Sequence, residues 1–164
     1  MPFAIYFQEY SFIATLGTTG SAGASNTQFN YPKGVAVSTA DNRIYVVDCF
    51  NHRVQIFDGT TRNYIATLGT TGSAGETNTQ FCNPSGVAVS TADNRIYVVD
   101  NFNHRVQVFD GTTRNYIATL GTTRSAGDSN TQFRYPSFVA VSAEDNRIYV
   151  ADTSFHRVQV FEIA

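Results

Sequence analysis

The sequence predicts an all-β protein, and three observations lead to this prediction. Its apolar segments are short runs rich in Val, Ile, Tyr, Phe and Thr, the residues that are enriched in strands. No stretch has the 3.6-residue apolar spacing of an amphipathic helix. One strand-rich run is present three times, starting at Asn42, Asn94 and Asn146, so each equivalent residue returns 52 positions later. A fixed period of this length indicates an array of similar structural units.

Each repeat carries four predicted strands separated by turn signals. In the first repeat we expect strands at residues 12–17, 35–37, 43–48 and 52–57. The segment between the first two is a loop, because it is rich in Gly, Ser and Thr. The short segment Cys49–Asn51 makes a tight connection between the last two strands.

The pattern within the strands indicates how the repeats are arranged. Ile44 to Val47 are apolar at consecutive positions, as expected when both faces of a small sheet are covered. Four-stranded sheets that stack face to face around an axis meet this condition. The predicted fold is therefore a β-propeller made of four-stranded antiparallel blades. The single domain 1–164 divides into an N-terminal edge segment and three repeats, at 1–11, 12–63, 64–115 and 116–164, the last repeat lacking its final strand.

The second repeat carries the residues of a known family motif. These are Phe81, Pro84, Gly86 to Val89, Arg95 to Asp100, and Asn103 to Phe109. The pattern resembles the NHL repeat, with Arg105 in place of the Leu, and the resemblance extends from about Phe12 to Phe161. It implies a propeller, most often six-bladed, that binds proteins, RNA or sugars. A few members of the family are enzymes, such as a copper- and zinc-dependent amidating lyase.

The third repeat departs from this pattern. Phe138 replaces the Gly before the first strand, and Thr153, Ser154 and Phe155 replace Asn101, Phe102 and Asn103. The geometry of its turn therefore does not follow from the other two copies.

Three blades cannot close a ring, so we expect two chains to form one. An open arc would expose a larger apolar surface than soluble monomers usually show. Burying about 1,000 Å² of apolar area at each seam would contribute roughly 25 kcal/mol, against an association cost of about 4 to 15 kcal/mol. The chain begins with the fourth strand of a blade, Phe12–Leu16, and ends with a third strand, His156–Phe161. We therefore expect a homodimer of six blades, in which the N-terminal strand of each protomer completes the last blade of the other. The segment Phe3–Phe7 has no place in this strand count, and we expect it to add an edge strand or to cover the seam.

Comparison of the repeats predicts where a ligand binds. Residues 12–63 and 64–115 differ at eight positions, and six of these lie on the rim formed by the inter-repeat loops and the second-to-third strand connections. We call it the variable rim. Loops on a rigid scaffold carry recognition, so we expect a protein or carbohydrate partner there, although loops that tolerate drift would vary in the same way. The candidate binding residues are Tyr31, Lys33, Phe50, Asn51, Asn83, Phe102, Asn103, Arg124, Arg134, Tyr135 and Phe155.

A second set of polar residues recurs in every repeat. The set is Asp48, His52, Arg53, Asp100, His104, Arg105, Asp152, His156 and Arg157. A ring of Asp and His could hold metal ions. Repetition in every blade favours a structural role instead, in which each His and Arg stabilises its own blade by hydrogen bonds to the Asp or to loop carbonyls.

Composition excludes several functions. The net charge of -2, with 15% charged residues, makes nucleic acid an unsuitable partner. No apolar run approaches the length of a membrane helix and no basic leader precedes the first repeat. Cys49 and Cys82 occupy different places in their repeats, which indicates free thiols and favours a reducing, cytoplasmic compartment.

The sequence therefore favours a non-enzymatic binding scaffold without a cofactor, since it contains no nucleophile, phosphate-loop or metal-spacing motif. Two alternatives stay open. One is a propeller enzyme, of lyase or hydrolase type, with a metal-dependent site in its central channel. The other is an amplified or designed repeat protein that has no specific ligand.

Overall fold

The computed structural model describes residues 10–163, in which eleven strands form three antiparallel sheets. The first sheet contains β1 (Pro32–Ser38), β2 (Arg43–Asp48), β3 (Arg53–Asp58) and β4 (Tyr64–Gly69). The second contains β5 (Pro84–Ser90), β6 (Arg95–Asp100), β7 (Arg105–Asp110) and β8 (Tyr116–Gly121). The third contains β9 (Pro136–Ser142), β10 (Arg147–Asp152) and β11 (Arg157–Glu162). We call the three sheets blades 1, 2 and 3.

Neighbouring strands pair in chain order, so each blade is a simple meander. The fourth strand of blades 1 and 2 comes from the repeat that follows, because β3 pairs with β4 and β7 pairs with β8. Blade 3 has three strands, since the described chain ends after β11.

Of two expectations about strands near the N-terminus, one falls within the described residues and one does not. Residues 12–16, predicted as a strand, lie in no strand of the described chain, and Phe12 and Ile13 are exposed. The predicted strand Phe3–Phe7 lies outside the described residues.

Apolar side chains fill the two seams between the blades. In the first seam, Tyr45, Val47, Val54 and Ile56 of blade 1 pack with Val87, Ile96 and Val98 of blade 2. In the second, Tyr97, Val99, Val106 and Val108 of blade 2 pack with Phe133, Val139, Ile148 and Val150. Blade 2 is therefore covered on both faces, which explains why its strands are apolar at consecutive positions.

The second and third strands of each blade are joined by one turn of 3₁₀ helix. These turns are Cys49–Asn51, Asn101–Asn103 and Thr153–Phe155. Each ends at a histidine in the left-handed conformation, at φ values of 55°, 56° and 52°, so the histidine is not part of the following strand as the sequence suggested. The third turn keeps this geometry although its sequence differs.

No helix within residues 10–163 is long and apolar enough to cross a lipid bilayer.

Candidate functional site

An Asp–Arg ion pair, buried in blades 1 and 2 and partly exposed in blade 3, holds each loop of the variable rim. In blade 1, Arg53 Nε lies 2.7 Å from Asp48 Oδ2, and both side chains are almost completely buried. The Arg53 guanidinium also donates hydrogen bonds to the carbonyl oxygens of Ala24, Ser25 and Gln28, at 2.8, 2.9 and 3.1 Å. The pairs Arg105–Asp100 and Arg157–Asp152 repeat this arrangement at 2.8 Å. Because a buried charge must be paired, each pair fixes the loop that precedes its blade.

The second oxygen of each aspartate positions the residue just before the rim. Asp48 Oδ1 accepts a hydrogen bond from the backbone N–H of Asn30 at 2.6 Å. Asp100 and Asp152 accept equivalent bonds from Cys82 and Arg134, both at 2.7 Å. The next residue in each repeat then has a positive φ, 60° at Tyr31, 49° at Asn83 and 50° at Tyr135. Aromatic residues rarely adopt this conformation, so the aspartate network holds two tyrosines in a fixed position on the rim.

The histidines bind a different partner from the one expected. His52 Nδ1 accepts a hydrogen bond from the N–H of Asn83 at 3.2 Å, and His104 Nδ1 accepts one from Tyr135 at 3.2 Å. Both bonds cross to the next blade, because the left-handed turn directs the imidazole away from its own aspartate. No hydrogen bond within residues 10–163 joins a histidine to Asp48, Asp100 or Asp152.

The same two histidines are partly buried between the blades. Burial lowers the pKa of His52, and burial together with the Arg134 charge lowers the pKa of His104. His156 is exposed, and no blade among residues 10–163 follows its own. The neutral imidazole is thus the form that joins one blade to the next.

Aromatic side chains form the outer surface of the rim. The Tyr31 and Phe50 rings stack with centroids 4.8 Å apart and planes at 12°. The Phe102 and Tyr135 rings meet edge to face at 5.7 Å across the seam between blades 2 and 3. These four residues are exposed on one side, so they offer flat apolar surface in fixed orientations.

Cations lie beside these rings. Lys33 Nζ is 5.5 Å from the Tyr31 ring, within the range of a cation–π contact. Arg134 and Arg157 lie 5.9 and 5.3 Å from the Phe155 ring. The rim therefore combines aromatic faces with positive charge.

Asn51 and Asn103, two of the predicted binding residues, are buried and face inward. Asn51 Nδ2 donates to Gly23 O at 2.7 Å and to Asp48 Oδ2 at 2.8 Å, and Asn103 makes the equivalent bonds to Gly75 and Asp100. They cannot meet a ligand because their amides complete the aspartate network.

The remaining predicted residues lie on the rim, with one neighbour that sequence comparison did not select. Arg124 is exposed and pairs with Glu76 at 3.3 Å. Glu76 is one of the positions at which the first two repeats differ, and this difference is the signal in the sequence that could have selected it as a rim residue. Asn83 is half-buried where the other repeats place a tyrosine.

Neither thiol is activated and no metal centre is formed among the described residues. Cys49 is buried and Cys82 half-buried, and burial raises the pKa of both thiols. In residues 10–163, no group of three His, Cys, Asp or Glu side chains is arranged to hold a metal ion.

Comparisons with known proteins agree on the repeat. A model of the family described as NHL repeat matches residues 29–57, 81–109 and 133–161, more than half of the chain. The bovine NHL repeat-containing protein 2 is 32% identical over 95 residues, which cover 54% of this chain and 13% of that protein. The probable peptidyl-alpha-hydroxyglycine alpha-amidating lyase pgal-1 of Caenorhabditis elegans is 28% identical over 134 residues, covering 81% of this chain and 37% of that protein.

The chain thus spans well under half the length of both relatives. Among solved structures, a putative phosphatase from Bacteroides thetaiotaomicron superimposes with a TM-score of 0.60 at 16% identity, over 79% of this chain and 34% of that one. At this identity the likeness is one of fold alone.

Proposed function

The chain belongs to the NHL-repeat family, and from this premise we propose that it is a non-enzymatic binding scaffold. Two chains close into a six-bladed ring, and the variable rim of that ring binds a protein or a carbohydrate. The observation that carries the proposal is the set of exposed aromatic rings on this rim, whose loops are held in place by Asp–Arg pairs.

The rim suits recognition because its contact groups are rigid. Tyr31 and Phe50 support each other by stacking, and an aromatic pair of this kind contributes about 0.5 to 1.5 kcal/mol beyond its buried area. A partner therefore meets side chains that lose little conformational freedom on binding. Lys33 and Arg134 add positive charge beside the rings, which favours a partner that carries acidic groups.

Arrays of oligosaccharides and of peptides test the binding role. We expect the wild-type chain to bind members of one array, and the variant F50A/F102A to lose that binding at least tenfold. Both phenylalanines are half-exposed and each contacts one tyrosine ring, so their loss should lower the free energy of unfolding by about 1 to 3 kcal/mol and leave the fold intact. The control R62A/R114A changes two residues of the opposite rim and should bind as the wild type does. The proposal would be contradicted if the F50A/F102A variant bound as tightly as the wild type, or if the wild type bound nothing.

The ring closure rests on a strand edge that has no partner strand among residues 10–163. β11 pairs with β10 on one side, whereas its equivalents β3 and β7 each have a fourth strand on the other side. Residues 12–16 repeat the sequence of those fourth strands, apart from Phe12 in place of Tyr, and lie outside any sheet. A second copy therefore supplies the missing strand, and residues 12–16 of that copy pair with β11.

Light scattering coupled to gel filtration tests the closure. The wild-type mass should be twice 18.0 kDa. The variant I13P/A14P should be a monomer, because adjacent prolines remove N–H groups that point to both sides of the segment. No described strand includes these residues, so the circular dichroism of the variant should keep its β-sheet signal. A dimer that survives both prolines would exclude strand exchange.

An amidating lyase is the second candidate, and similarity to the nematode protein over 81% of this chain favours it. Incubation with a peptide that ends in α-hydroxyglycine tests this candidate directly. Appearance of the peptide amide, measured by mass spectrometry, would replace the scaffold with an enzyme. We expect no amide, because the described residues do not bring three potential metal ligands together.

A further inference from the structure

Two apolar faces that are buried within the arc of blades are open at its ends. Val87 and Val106 lie in the seams and are 7% and 0% exposed. Their equivalents on the end faces, Val35 on β1 and Val158 on β11, are 66% and 61% exposed. The side chains are the same, so the difference reflects only the neighbouring blade that each end face lacks.

A glycine allows the inner strands to approach each other in both seams. A Cβ atom on Gly34 would lie 3.1 Å from the carbonyl oxygen of Ser85, and one on Gly86 would lie 3.0 Å from that of Ser137. Both contacts are with backbone, which cannot rotate out of the way. These two seams therefore leave no room for a side chain at this position.

Blade 3 has Phe138 at this position, on its open face. The strand register pairs Phe138 with Ala151, where blades 1 and 2 pair Gly34 with Val47 and Gly86 with Val99. In blades 1 and 2, a methyl group of this Val lies 3.2 Å from the position that a Cβ atom on the paired glycine would take. Ala151 lacks those methyl groups, so the two substitutions together make room for the phenylalanine within blade 3.

This paired substitution creates an apolar projection instead of a polar cap. End repeats that face solvent need a polar outer surface, but Phe138 is 62% exposed and stands beside Val158 and Val160, which are also exposed. Ala140 and Ala151 complete a shallow apolar hollow around the phenylalanine. A face of this composition is typical of an interface.

We propose that this end face of blade 3 binds the open face of β1 in a second copy of the chain, and that Phe138 determines which faces pair. The inference rests on the ring closure proposed above and names the residues of its seam. The two seams within the chain are the template, because Val35 and Val37 of the incoming β1 are equivalent to residues that already pack there. Phe138 lies between the inner strands and holds this seam wider near the axis than the other two.

The arrangement is head-to-tail, so the two faces of the seam differ and can be blocked separately. A charge buried in an apolar seam without a partner is strongly unfavourable. F138E on one face and V35K on the other should each raise the Kd of the homodimer at least about 100-fold. Both residues are exposed in the single chain, so each variant should keep its β-sheet signal.

Mixing the two variants provides the decisive measurement. In the mixed dimer one seam is wild type on both faces, and the other places the carboxylate introduced by F138E in one chain near the ammonium group introduced by V35K in the other. Sedimentation velocity should therefore show the dimer restored to within about tenfold of the wild-type Kd. As a matched control, F50E puts a charge on an aromatic residue of the rim and should leave the dimer intact.

The other outcomes separate this inference from the ring itself. A wild-type chain that stays a monomer overturns both. A dimer that F138E and V35K leave unchanged, or that the two variants fail to restore when mixed, overturns the assignment of the seam alone. If F138E blocks the dimer but V35K does not, two copies of the Phe138 face pair with each other, and the head-to-tail seam is wrong.

Discussion

Replacing Arg105 with Met should remove a large part of the stability of the chain. The Arg105 side chain is 1% exposed and donates to Asp100 Oδ2 at 2.8 Å, to Thr123 Oγ1 at 3.2 Å, and to three carbonyls of the loop before its blade. Met has a similar length but donates nothing, so it leaves the Asp100 carboxylate buried without its cation. Breaking one side of a buried pair costs about 3 to 5 kcal/mol, and single domains have only about 5 to 15 kcal/mol in total.

Arg157 provides an internal comparison for this magnitude. It makes the same contacts with Asp152 and its loop, but its side chain is 27% exposed, so water can replace part of what is lost. We expect R157M to cost at most about 2 kcal/mol. The double variant R105M/D100N removes the stranded charge as well, and should recover part of the loss.

Urea unfolding followed by far-ultraviolet circular dichroism measures all three variants. The chain has no Trp, so the backbone signal is the appropriate probe. All variants must be compared at one chain concentration, at which light scattering gives them the same mass, because a difference in association would add to the apparent difference in stability. An R105M variant within about 1 kcal/mol of wild type, or one equal to R157M, would refute the view that these pairs hold the rim loops.

Three further predictions concern the seams and the thiols. The stability of the folded chain should fall as pH falls from about 6.5 through the lowered pKa of His104, since the folded chain needs the neutral ring. In thermal melts the variant H104N, which keeps a hydrogen-bond acceptor but cannot titrate, should lose part of this pH dependence. An unchanged pH profile would contradict the prediction. G86A should lower the free energy of unfolding by about 1 to 3 kcal/mol, because its methyl group would press on the Ser137 carbonyl; a neutral effect in urea unfolding would mean that the seam can widen freely. Alkylation by iodoacetamide should be slower than for a free thiol and slowest at Cys49, which is the more buried and has a raised pKa; faster labelling of Cys49 than of Cys82 would be evidence against this burial.

Much of the fold could be predicted because strand signals and repetition agree. The runs starting at Arg43 and Arg95 are apolar at consecutive positions, and both became central strands with the predicted bounds. The bounds of the first strand were less predictable. β1 extends to Pro32 and Ser38, well beyond its apolar residues, because backbone pairing with β2 continues past them.

The rim was harder to predict because its geometry depends on groups far apart in the chain. Asn51 is a polar loop residue that looks available for binding, yet its amide bonds to Gly23 O and Asp48 Oδ2. His52 looks like a partner for Asp48, yet its left-handed backbone conformation directs the ring to Asn83 of the next blade. Neither outcome follows from residue type, since each is set by the turn that ends the strand.

The proposed ring closure has two parts, the unpaired strand and the seam, and the sequence predicts only the first. The unpaired strand is visible in the sequence, because residues 12–16 repeat the strand that starts at Tyr64. The seam is not, because Phe138 and Ala151 look like two unrelated departures from the repeat until the register places them opposite each other. Once paired, they are one change, a larger side chain accommodated by a smaller neighbour on an otherwise apolar face.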